Sequence, residues 1–348
     1  MGIRFSKKEA ISNFLSPLND FKPTTIKIEI RRDPLTPHRA RIVPFRFRTL
    51  LKTDLSPLVE QSLKMGCPFC PENLAPRAAR FLEDWVPEGH IKRGEAVLFP
   101  NAFPYEKHSG VCVLCSQHFV PVDGFKSEWI LQALLACRDY FQLLHKKDPG
   151  NRYGSINWNF FPLAGAGLIH PHFQVMAQDR PTRYLGDILK NAKNYFKKNG
   201  APFFSDLLRQ EKKTGERYIG NTGDVHWLSA FAPLGVLEIM ALWEGVDHFL
   251  TISKDLLNNF AEGLIKVLAF LGSKNIFSLN MTLYLSLEKQ NHFSLLAKIL
   301  PRIEIPPLMI SEINYFERLH HELFTFYPPE DVAAEARNFF RKNSEVDL

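Results

Sequence analysis

The chain has 348 residues, of which 45% are hydrophobic and 23% charged, which is the composition of a folded protein of one or two domains. No apolar run reaches the roughly 20 residues of a membrane-spanning helix and no signal core is present, so we expect a cytoplasmic protein without a membrane partner. The net charge of +6 suits an anionic substrate, but the basic residues are scattered and predict no nucleic-acid partner.

In chain order, the first predicted element is a short helix near Lys7–Leu15. The Pro- and Arg-rich segment 31–41 then predicts extended chain and turns. Gly66–Asn73 is a predicted turn that carries Cys67 and Cys70. Beyond this turn the chain looks duplicated.

The predicted duplication has the order strand, strand, helix, strand, strand in each copy. The first copy consists of Ala96–Pro100, Gly110–Cys115, the helix Lys126–Lys146, Ser155–Phe161 and Pro171–Ala177. The second copy consists of Val225–Phe231, Leu237–Trp243, the helix Lys254–Leu271, Ile276–Leu287 and Phe293–Ile299. Further predicted helices are Arg183–Asn199, Phe203–Lys213 and Pro329–Lys342. Short links between neighbouring strands favour antiparallel pairing, so we predict an α+β fold with halves at 1–185 and 186–348.

The strongest local signal is the run His170-Pro171-His172-Phe173-Gln174. On a strand, residues two apart share a face, so His170, His172 and Gln174 would form one polar row. Upstream, the small residues 164–167 (Ala-Gly-Ala-Gly) would let backbone N–H groups approach a phosphate without obstruction by Cβ. The competing structural interpretation is a pair of histidines that are satisfied within a half-buried strand.

These residue types suit attack on phosphorus by an imidazole. A neutral imidazole is a good nucleophile when a backbone carbonyl fixes its tautomer and leaves the other ring nitrogen free. Asn159 and Gln174 can donate hydrogen bonds to phosphoryl oxygens, but Gln174 cannot transfer a proton. The pattern therefore favours good leaving groups and phosphate-bearing acceptors.

Several stretches together resemble the galactose-1-phosphate uridylyltransferase branch of the histidine-triad superfamily. The resemblance covers most of the chain and is best over 31–180. Besides the His-x-His-x-Gln run, the similar stretches are Pro34-Leu35-Thr36, Pro37–Arg41, Cys67–Pro71, Phe99–Pro104 and Asn159 at the family's spacing. The resemblance implies two histidine-triad-like halves, a homodimer and carbohydrate metabolism, galactose metabolism among others.

The same resemblance implies the roles of individual residues. His172 would be the nucleophile, with Gln174 beside it. Nucleotide and phosphate contacts would come from Arg39, Asn101, Asn159, Gly165, Gly167 and Gln174. Glu317 could contact a sugar hydroxyl, although an exposed helical glutamate without a ligand is an equal interpretation.

Five cysteines, an odd number without a signal peptide, argue against a disulfide framework and for a possible metal site. One candidate ligand set is Cys67, Cys70, Cys112 and Cys115. However, residues three apart on the strand at 111–114 point to opposite faces, which disfavours joint ligation by Cys112 and Cys115. The resemblance implies instead one structural zinc site with the ligands Cys67, Cys70, His118 and His170. A chain without any metal is the third interpretation, and Cys137 is predicted to be a small core residue.

The second half departs from the family pattern. The strand at 292–298 lacks His-x-His, so we predict a degenerate half without a second metal site. Ala102 follows Asn101 where uridine-handling members tend to have an acidic residue, and the hexose-binding stretch at 311–317 matches poorly.

Three functional hypotheses follow. The first is a nucleotidyltransferase that moves a nucleotidyl group from a UDP- or ADP-hexose, through His172, to a hexose 1-phosphate. The second is a phosphorylase of an ADP-sugar or a dinucleoside polyphosphate that uses inorganic phosphate. The third, from another class, is a zinc-stabilised nucleotide-binding protein without turnover, which would not need His172.

Overall fold

The structure is a computed structural model and describes residues 3–43, 50–305 and 310–341. The described strands are β1 (Ser6–Ser16), β2 (Lys22–Arg32), β3 (Arg39–Ile42), β4 (Ile91–Arg93), β5 (Ala96–Pro100), β6 (His108–Val113), β7 (Tyr153–Phe160), β8 (His172–Gln178), β9 (Tyr218–Thr222), β10 (Val225–Ser229), β11 (Ile239–Trp243), β12 (Ser278–Ser286), β13 (Leu296–Arg302), β14 (Glu304–Ile305), β15 (Ile310–Ser311) and β16 (Leu323–Thr325). The described helices are α1 (Ser56–Lys64), α2 (Pro71–Arg77), α3 (Ser127–Lys147), α4 (Arg183–Asn199), α5 (Phe203–Thr214), α6 (Lys254–Ser273), α7 (Tyr315–His320) and α8 (Pro329–Arg341).

A ten-stranded sheet forms the centre of the molecule, in the order β4-β5-β6-β8-β7-β12-β13-β11-β10-β9. All of its pairings are antiparallel, which confirms the predicted α+β class. The order β5, β6, α3, β7, β8 recurs as β10, β11, α6, β12, β13, and β7 pairs with β12 where the two sets meet. Because the sheet is continuous across that pairing, the division at residues 185 and 186 stays a prediction.

Helices α3 and α6 cover one face of the sheet, and that face is apolar because its strands alternate. On β7 the residues Ile156, Trp158 and Phe160 are fully buried, while the intervening Asn157 and Asn159 are partly exposed. The same alternation on β8 and β12 buries Phe173, Val175, Leu279, Met281 and Leu283. Period-two alternation of this kind is what a strand with one covered face requires.

The opposite face is covered at its two ends and open at its centre. Near β5 and β6, Phe69, Leu74 and Ala78 pack against Phe99 and Val111. Over the second set of strands, helices α4 and α5 enclose a narrow apolar space against β10, β11 and β13. The residues that line this space include Tyr184, Ile188, Phe203, Phe204, Leu207, Leu228, Met240 and Lys298. Between these covers, β8, β7 and β12 present polar side chains, and we call this uncovered strip the central valley.

Most predicted helices are confirmed, with boundaries that differ by at most two residues. Helix α4 has the predicted bounds and ends at Gly200, whose φ of 72° is the left-handed conformation that glycine adopts without strain. The C-terminal helix is described to Arg341, and the predicted last residue, Lys342, lies outside the described residues. None of the described helices combines the length and the hydropathy that crossing a membrane would take.

The prediction of a helix near Lys7–Leu15 was wrong. These residues lie in β1, which pairs antiparallel with β2 along its whole length, from Ser6 opposite Arg32 to Ser16 opposite Lys22. The alternation of β2 makes it a strong strand, and its partner adopts the extended conformation because pairing overrides a weak local preference. The pair continues through β3 to β16 in a separate four-stranded sheet.

A buried ion network fastens this N-terminal sheet to the rest of the chain. Arg31 on β2 and Arg217, which are 5% and 2% exposed, both donate to the carboxylate of Glu330 in α8 at 2.8–2.9 Å. Arg217 also donates to Glu211 at 2.9 Å. Burial alone would raise the pKa of Glu330, but the hydrogen bonds from Arg31 and Arg217 lower it to about 2.

We expect Glu330→Gln to lower the free energy of unfolding by about 2–3 kcal/mol at neutral pH, because two buried guanidinium groups lose their anionic partner. The pKa is depressed in the folded state, so the contribution is present above the ordinary value of 4.5 and is lost as the pH falls towards 2. Urea unfolding at pH 7, 4 and 3 measures this contribution. The difference in the free energy of unfolding between wild type and variant should become smaller as the pH falls over that range. A constant difference would show that the carboxylate charge is not responsible.

Candidate active site and metal centre

His172 is the first residue of β8, where the strand enters the central valley. Its Nδ1 lies 2.8 Å from the carbonyl oxygen of His170. Since a carbonyl can only accept, Nδ1 carries the proton and Nε2 keeps its lone pair. Burial lowers the pKa of His172, which is 7% exposed, so the ring is neutral at physiological pH. The geometry therefore has the fixed tautomer that the sequence analysis required of a nucleophile.

The valley floor beside His172 consists of side-chain amides and a hydroxyl. Gln174 lies opposite Asn157 in the sheet, and Asn157 Oδ1 accepts a hydrogen bond from Thr282 at 3.0 Å. Asn159 Oδ1 accepts from Asn280 Nδ2 at 2.8 Å. With its oxygen occupied, Asn159 keeps its amide NH₂ group as a donor towards the valley.

A glycine-containing turn follows β7 and borders the same floor. Gly165 has a φ of 87°, a left-handed conformation that any side chain would strain. A Cβ placed on Gly165 or Gly167 would have no neighbour within 4 Å, so the space before this turn is open. The carbonyl of Ala164 accepts a second hydrogen bond from Asn280 Nδ2 at 2.9 Å, which ties the turn to Asn159.

The four residues Cys67, Cys70, His118 and His170 converge, with all four candidate ligand atoms within 4.8 Å of one another. Cys70 Sγ lies 3.3 Å from His118 Nδ1 and 3.8 Å from His170 Nδ1, and Cys67 Sγ lies 3.8 Å from His170 Nδ1. A tetrahedral zinc ion would require sulfur-to-nitrogen distances of about 3.6 Å. The donor set therefore fits a metal ion of the zinc type.

Surrounding groups support that fit. His170 Nε2 donates to the carbonyl of Cys115 at 2.9 Å, which leaves Nδ1 free as a ligand, as is usual for metal-bound histidines. Burial and the neighbouring Cys67 sulfur raise the pKa of Cys70 to about 12. The raised pKa disfavours the thiolate, which a bound cation would stabilise. Cys112 is not part of the cluster; its Sγ lies 3.8 Å from the carbonyl of Ala133 on α3.

The turn that carries Cys67 and Cys70 also touches His172. Phe69, between the two cysteines, packs edge-on against the His172 ring with 5.1 Å between ring centroids. His170 belongs to the cluster through its side chain and holds His172 through its carbonyl. The cluster thus contacts His172 both through Phe69 and through the His170 carbonyl. Phe69 was not predicted as a site residue, although its place between the two cysteines was a signal.

The predicted substrate contacts do not all gather at His172. Asn101 follows β5, two strands from β8, and its Oδ1 accepts from the backbone N–H of Phe103 at 2.9 Å. Arg39 lies on the N-terminal sheet and forms an ion pair with Glu322. The described contacts of Arg39 include none with the valley residues.

Glu317 lies on α7, where its Oε2 is buried and has no hydrogen-bond partner among the described residues. Burial and the nearby Glu312 raise its pKa to about 7. Arg302 lies beside this carboxyl pair and donates to Asn280 Oδ1 at 3.4 Å, so the surroundings of Glu317 reach the valley through Arg302. Sequence reasoning missed Asn280 and Arg302, although polar residues alternating with apolar ones on β12 were a signal for Asn280.

We expect Asn280→Ala to lower kcat for any reaction at His172 by about 10-fold, because Asn159 and the Gly165 turn lose their shared hydrogen-bond partner. The melting temperature should fall by only about 2 °C, since the side chain is partly exposed. Steady-state kinetics and thermal unfolding check both. Asn221→Ala, the same substitution on the edge strand β9, is the matched control, and equal losses in the two variants would contradict the special role of Asn280.

Comparison with known proteins gives one relative of similar sequence and several similar structures. An uncharacterised protein of Archaeoglobus fulgidus is 33% identical over 314 residues, which cover 90% of this chain and 92% of that protein. No family model matches the sequence.

Three solved structures have a similar fold. An ADP-glucose phosphorylase of Arabidopsis thaliana with bound ADP-glucose has a TM-score of 0.70 and 19% identity, and the match covers 92% of this chain and all of that one. A galactose-1-phosphate uridylyltransferase-like protein of Arabidopsis thaliana has a TM-score of 0.69 and 19% identity, with 92% and 99% covered. A uridylyltransferase has a TM-score of 0.65 and 16% identity, with 91% and 99% covered. At these identities the likeness establishes a common fold.

Proposed function

This chain belongs to one family with the Archaeoglobus fulgidus protein and has the fold of the galactose-1-phosphate uridylyltransferase branch of the histidine-triad superfamily, and from that premise we propose that it is a nucleotidyltransferase. Its donor is a nucleoside diphosphate hexose, with UDP or ADP as the nucleotide. Its acceptor is a hexose 1-phosphate. The observation that carries the proposal is the fixed His172 ring, whose Nε2 is free at the rim of a polar valley.

In the first step, the lone pair on His172 Nε2 attacks the α-phosphorus of the donor. A bond between Nε2 and phosphorus forms, and the bond from that phosphorus to the bridging oxygen breaks, so that hexose 1-phosphate leaves as an anion. The imidazole becomes cationic, and its Nδ1–H bond to the His170 carbonyl becomes charge-assisted. In the second step, a phosphate oxygen of the acceptor attacks phosphorus and returns the electron pair to Nε2.

Neither step requires a proton from Gln174. Its carboxamide and the amide of Asn159 donate hydrogen bonds to the phosphoryl oxygens as charge moves between them. The open space before Gly165 and Gly167 admits the phosphates to the backbone of the turn. Cys67, Cys70, His118 and His170 would hold one zinc ion, which when bound would fix the entry of β8.

Inorganic phosphate is the alternative acceptor, which would make the protein a phosphorylase. The poor match at 311–317 favours it, because a small acceptor does not need a hexose site. A cytoplasmic location, a homodimer, a degenerate second half without a metal and the boundary at residue 185 belong to the same proposal.

Isotope exchange tests the reaction. We expect label from [¹⁴C]hexose 1-phosphate to enter UDP-hexose or ADP-hexose without a third substrate, because reversal of the first half-reaction returns the labelled hexose 1-phosphate to the donor. Formation of labelled ADP from ADP-hexose and labelled inorganic phosphate would select the phosphorylase, since both enzymes exchange hexose 1-phosphate through the same first step. Binding of donors by thermal shift without exchange or phosphorolysis would contradict both and leave a nucleotide-binding protein without turnover.

A further inference from the structure

A cavity of about 360 Å³ opens in the central valley, further along β8 than His172. Its floor consists of residues of β7, β8 and β12, and the first residues of α4 form a wall. Gln174 lies opposite Asn157 in the sheet, and the next row of the same face pairs Met176 with Ser155. Since each antiparallel residue advances a strand by about 3.4 Å, the middle of the cavity floor lies roughly 7 Å beyond Gln174. We call this space the α4 cavity.

Several polar side chains that line the α4 cavity have unused hydrogen-bonding groups. The side chains of Gln178 and Thr182 form no hydrogen bond with any described residue, and the Thr182 hydroxyl does not cap α4. Ser155 is 7% exposed, and its oxygen accepts from Asn157 Nδ2 at 2.9 Å, which leaves the hydroxyl hydrogen free to donate. Polar groups that converge on a partly apolar hollow are typical of a small-molecule site.

Two tyrosine rings provide much of the apolar surface of the cavity. Tyr184 and Tyr284 have ring centroids 5.5 Å apart and ring planes inclined by 52°. Rings in direct contact at this angle form a corner and leave no slot for a planar base between them. A pyranose ring suits such a corner, because it can place a C–H face on one ring and direct its hydroxyl groups to the polar side chains. Burial raises the pKa of Tyr284 to about 12, so its hydroxyl keeps its proton at neutral pH and can donate.

The charge around the cavity suits a sugar phosphate. Arg183 is exposed, is the one charged side chain among the described lining residues, and forms no ion pair with any residue that the structure describes. Its positive charge attracts an anionic ligand to this part of the valley. Asn157 borders the cavity and lies opposite Gln174, so a ligand can place its sugar in the cavity and its phosphate over the Gln174 amide.

The sugar contact that the family resemblance implies lies in the opposite direction from Gln174. Glu317 is linked to the valley through Arg302, which donates to Asn280, and Asn280 pairs with Asn159 on the side of Asn157 away from the cavity. The Glu317 Oε2 atom is buried, so it offers no surface to a ligand. The α4 cavity, by contrast, combines space with free polar groups.

We propose that the α4 cavity holds the hexose of hexose 1-phosphate, and that Gln178, Thr182 and Tyr284 determine which hexose the enzyme accepts. Placed donors and acceptors distinguish hydroxyl configurations because a mismatched sugar leaves them unpaired. The inference rests on the proposed transfer at His172. It does not depend on whether a hexose 1-phosphate or inorganic phosphate is the final acceptor, since both routes release hexose 1-phosphate in the first step.

Isotope exchange between [¹⁴C]glucose 1-phosphate or [¹⁴C]galactose 1-phosphate and the matching UDP- or ADP-hexose tests the proposal. Gln178→Ala should raise the KM for hexose 1-phosphate at least about 10-fold and change kcat by less than about 3-fold, because the side chain contacts the sugar and not the phosphorus. The Kd for UMP and AMP, from titration calorimetry, should stay within about 2-fold of the wild-type value. Gln61→Ala, the same substitution at an exposed position of α1, is the matched control and should change none of these quantities.

Thr182→Trp is the second variant, since an indole at the start of α4 would fill the cavity and should raise the same KM at least about 10-fold. An unchanged KM in both variants, with exchange by the wild type intact, would overturn the assignment of the cavity and leave the reaction at His172 standing. So would a raised KM in Glu317→Gln but not in Gln178→Ala, or a raised Kd for UMP or AMP with an unchanged KM for hexose 1-phosphate. Absence of exchange in the wild type would overturn the proposed function, and this inference with it.

Discussion

His172→Asn is expected to lower kcat for nucleotidyl transfer by at least about 10³-fold, with little change in the affinity for the donor. Asparagine has no nitrogen lone pair that can attack phosphorus, so the covalent route is lost. The valley floor of Asn159 and Gln174 stays in place and continues to bind phosphates. Stopped assays with UDP-hexose and ADP-hexose measure kcat, and titration calorimetry measures donor binding.

A matched control separates loss of the nucleophile from loss of an imidazole elsewhere. His292→Asn removes a partly exposed ring from the second half and should keep activity within about 2-fold of the wild type. Activity of His172→Asn above about a tenth of the wild-type value would contradict the assignment of the nucleophile.

Cys70→Ser is expected to release the bound metal, lower the melting temperature by roughly 5–10 °C and lower kcat at least about 100-fold. Its sulfur lies 3.3 Å from His118 Nδ1 and 3.8 Å from His170 Nδ1, so it contacts both histidines of the cluster. Without the metal, His170 loses its anchor, and the His170 carbonyl that holds His172 Nδ1 moves with it. Elemental analysis of the purified protein, thermal unfolding and kinetics provide the three measurements.

The corresponding control removes a thiol that the cluster does not use. Cys137 is fully buried on α3 and is not among the converging ligand atoms, so Cys137→Ala should keep one metal ion per chain. If Cys70→Ser keeps wild-type metal content, or loses the metal with no change in kcat, the link from the cluster to His172 is wrong.

Strong periodicity explains what could be predicted about the fold. Helices α3, α4 and α6 carry apolar residues at helical spacing over 17–21 residues, and the central strands alternate with period two, so both signals lie within single segments. Strand β1 has no such signal, because its conformation depends on pairing with β2. An element that is fixed by its partner is not visible in its own sequence.

The residues of the site likewise fall into those that are close together in the sequence and those that meet only across the sheet. The pair of His172 and Gln174 lies within β8, so its shared face could be predicted from the strand period, whereas His170 precedes the strand. Asn280, by contrast, meets Asn159 across 121 residues of sequence, and Arg302 reaches Asn280 only because β12 and β13 are neighbours. Contacts of that kind depend on the order of strands in the sheet, which the sequence pattern left open.

The apolar side of β2, with Ile26, Ile28 and Ile30, shows a third case. Alternation in β2 indicates one apolar and one charged side, but it does not indicate which side faces the core. The ion network of Arg31 and Glu330 decides this, and Glu330 lies 299 residues further along the chain. The apolar side of β2 is therefore the side that stays partly exposed.

The most direct test of the central claim is the mass of the intact wild-type chain after mixing with UDP-hexose or ADP-hexose and denaturing at alkaline pH. The account predicts a mass gain of one nucleoside monophosphate less water, located on His172 by fragmentation. Mild acid should remove the added mass from the denatured protein. Hexose 1-phosphate or inorganic phosphate, added before denaturation, should remove it from the native protein. An unchanged mass during confirmed turnover, or a nucleotide attached to any other residue, would contradict it.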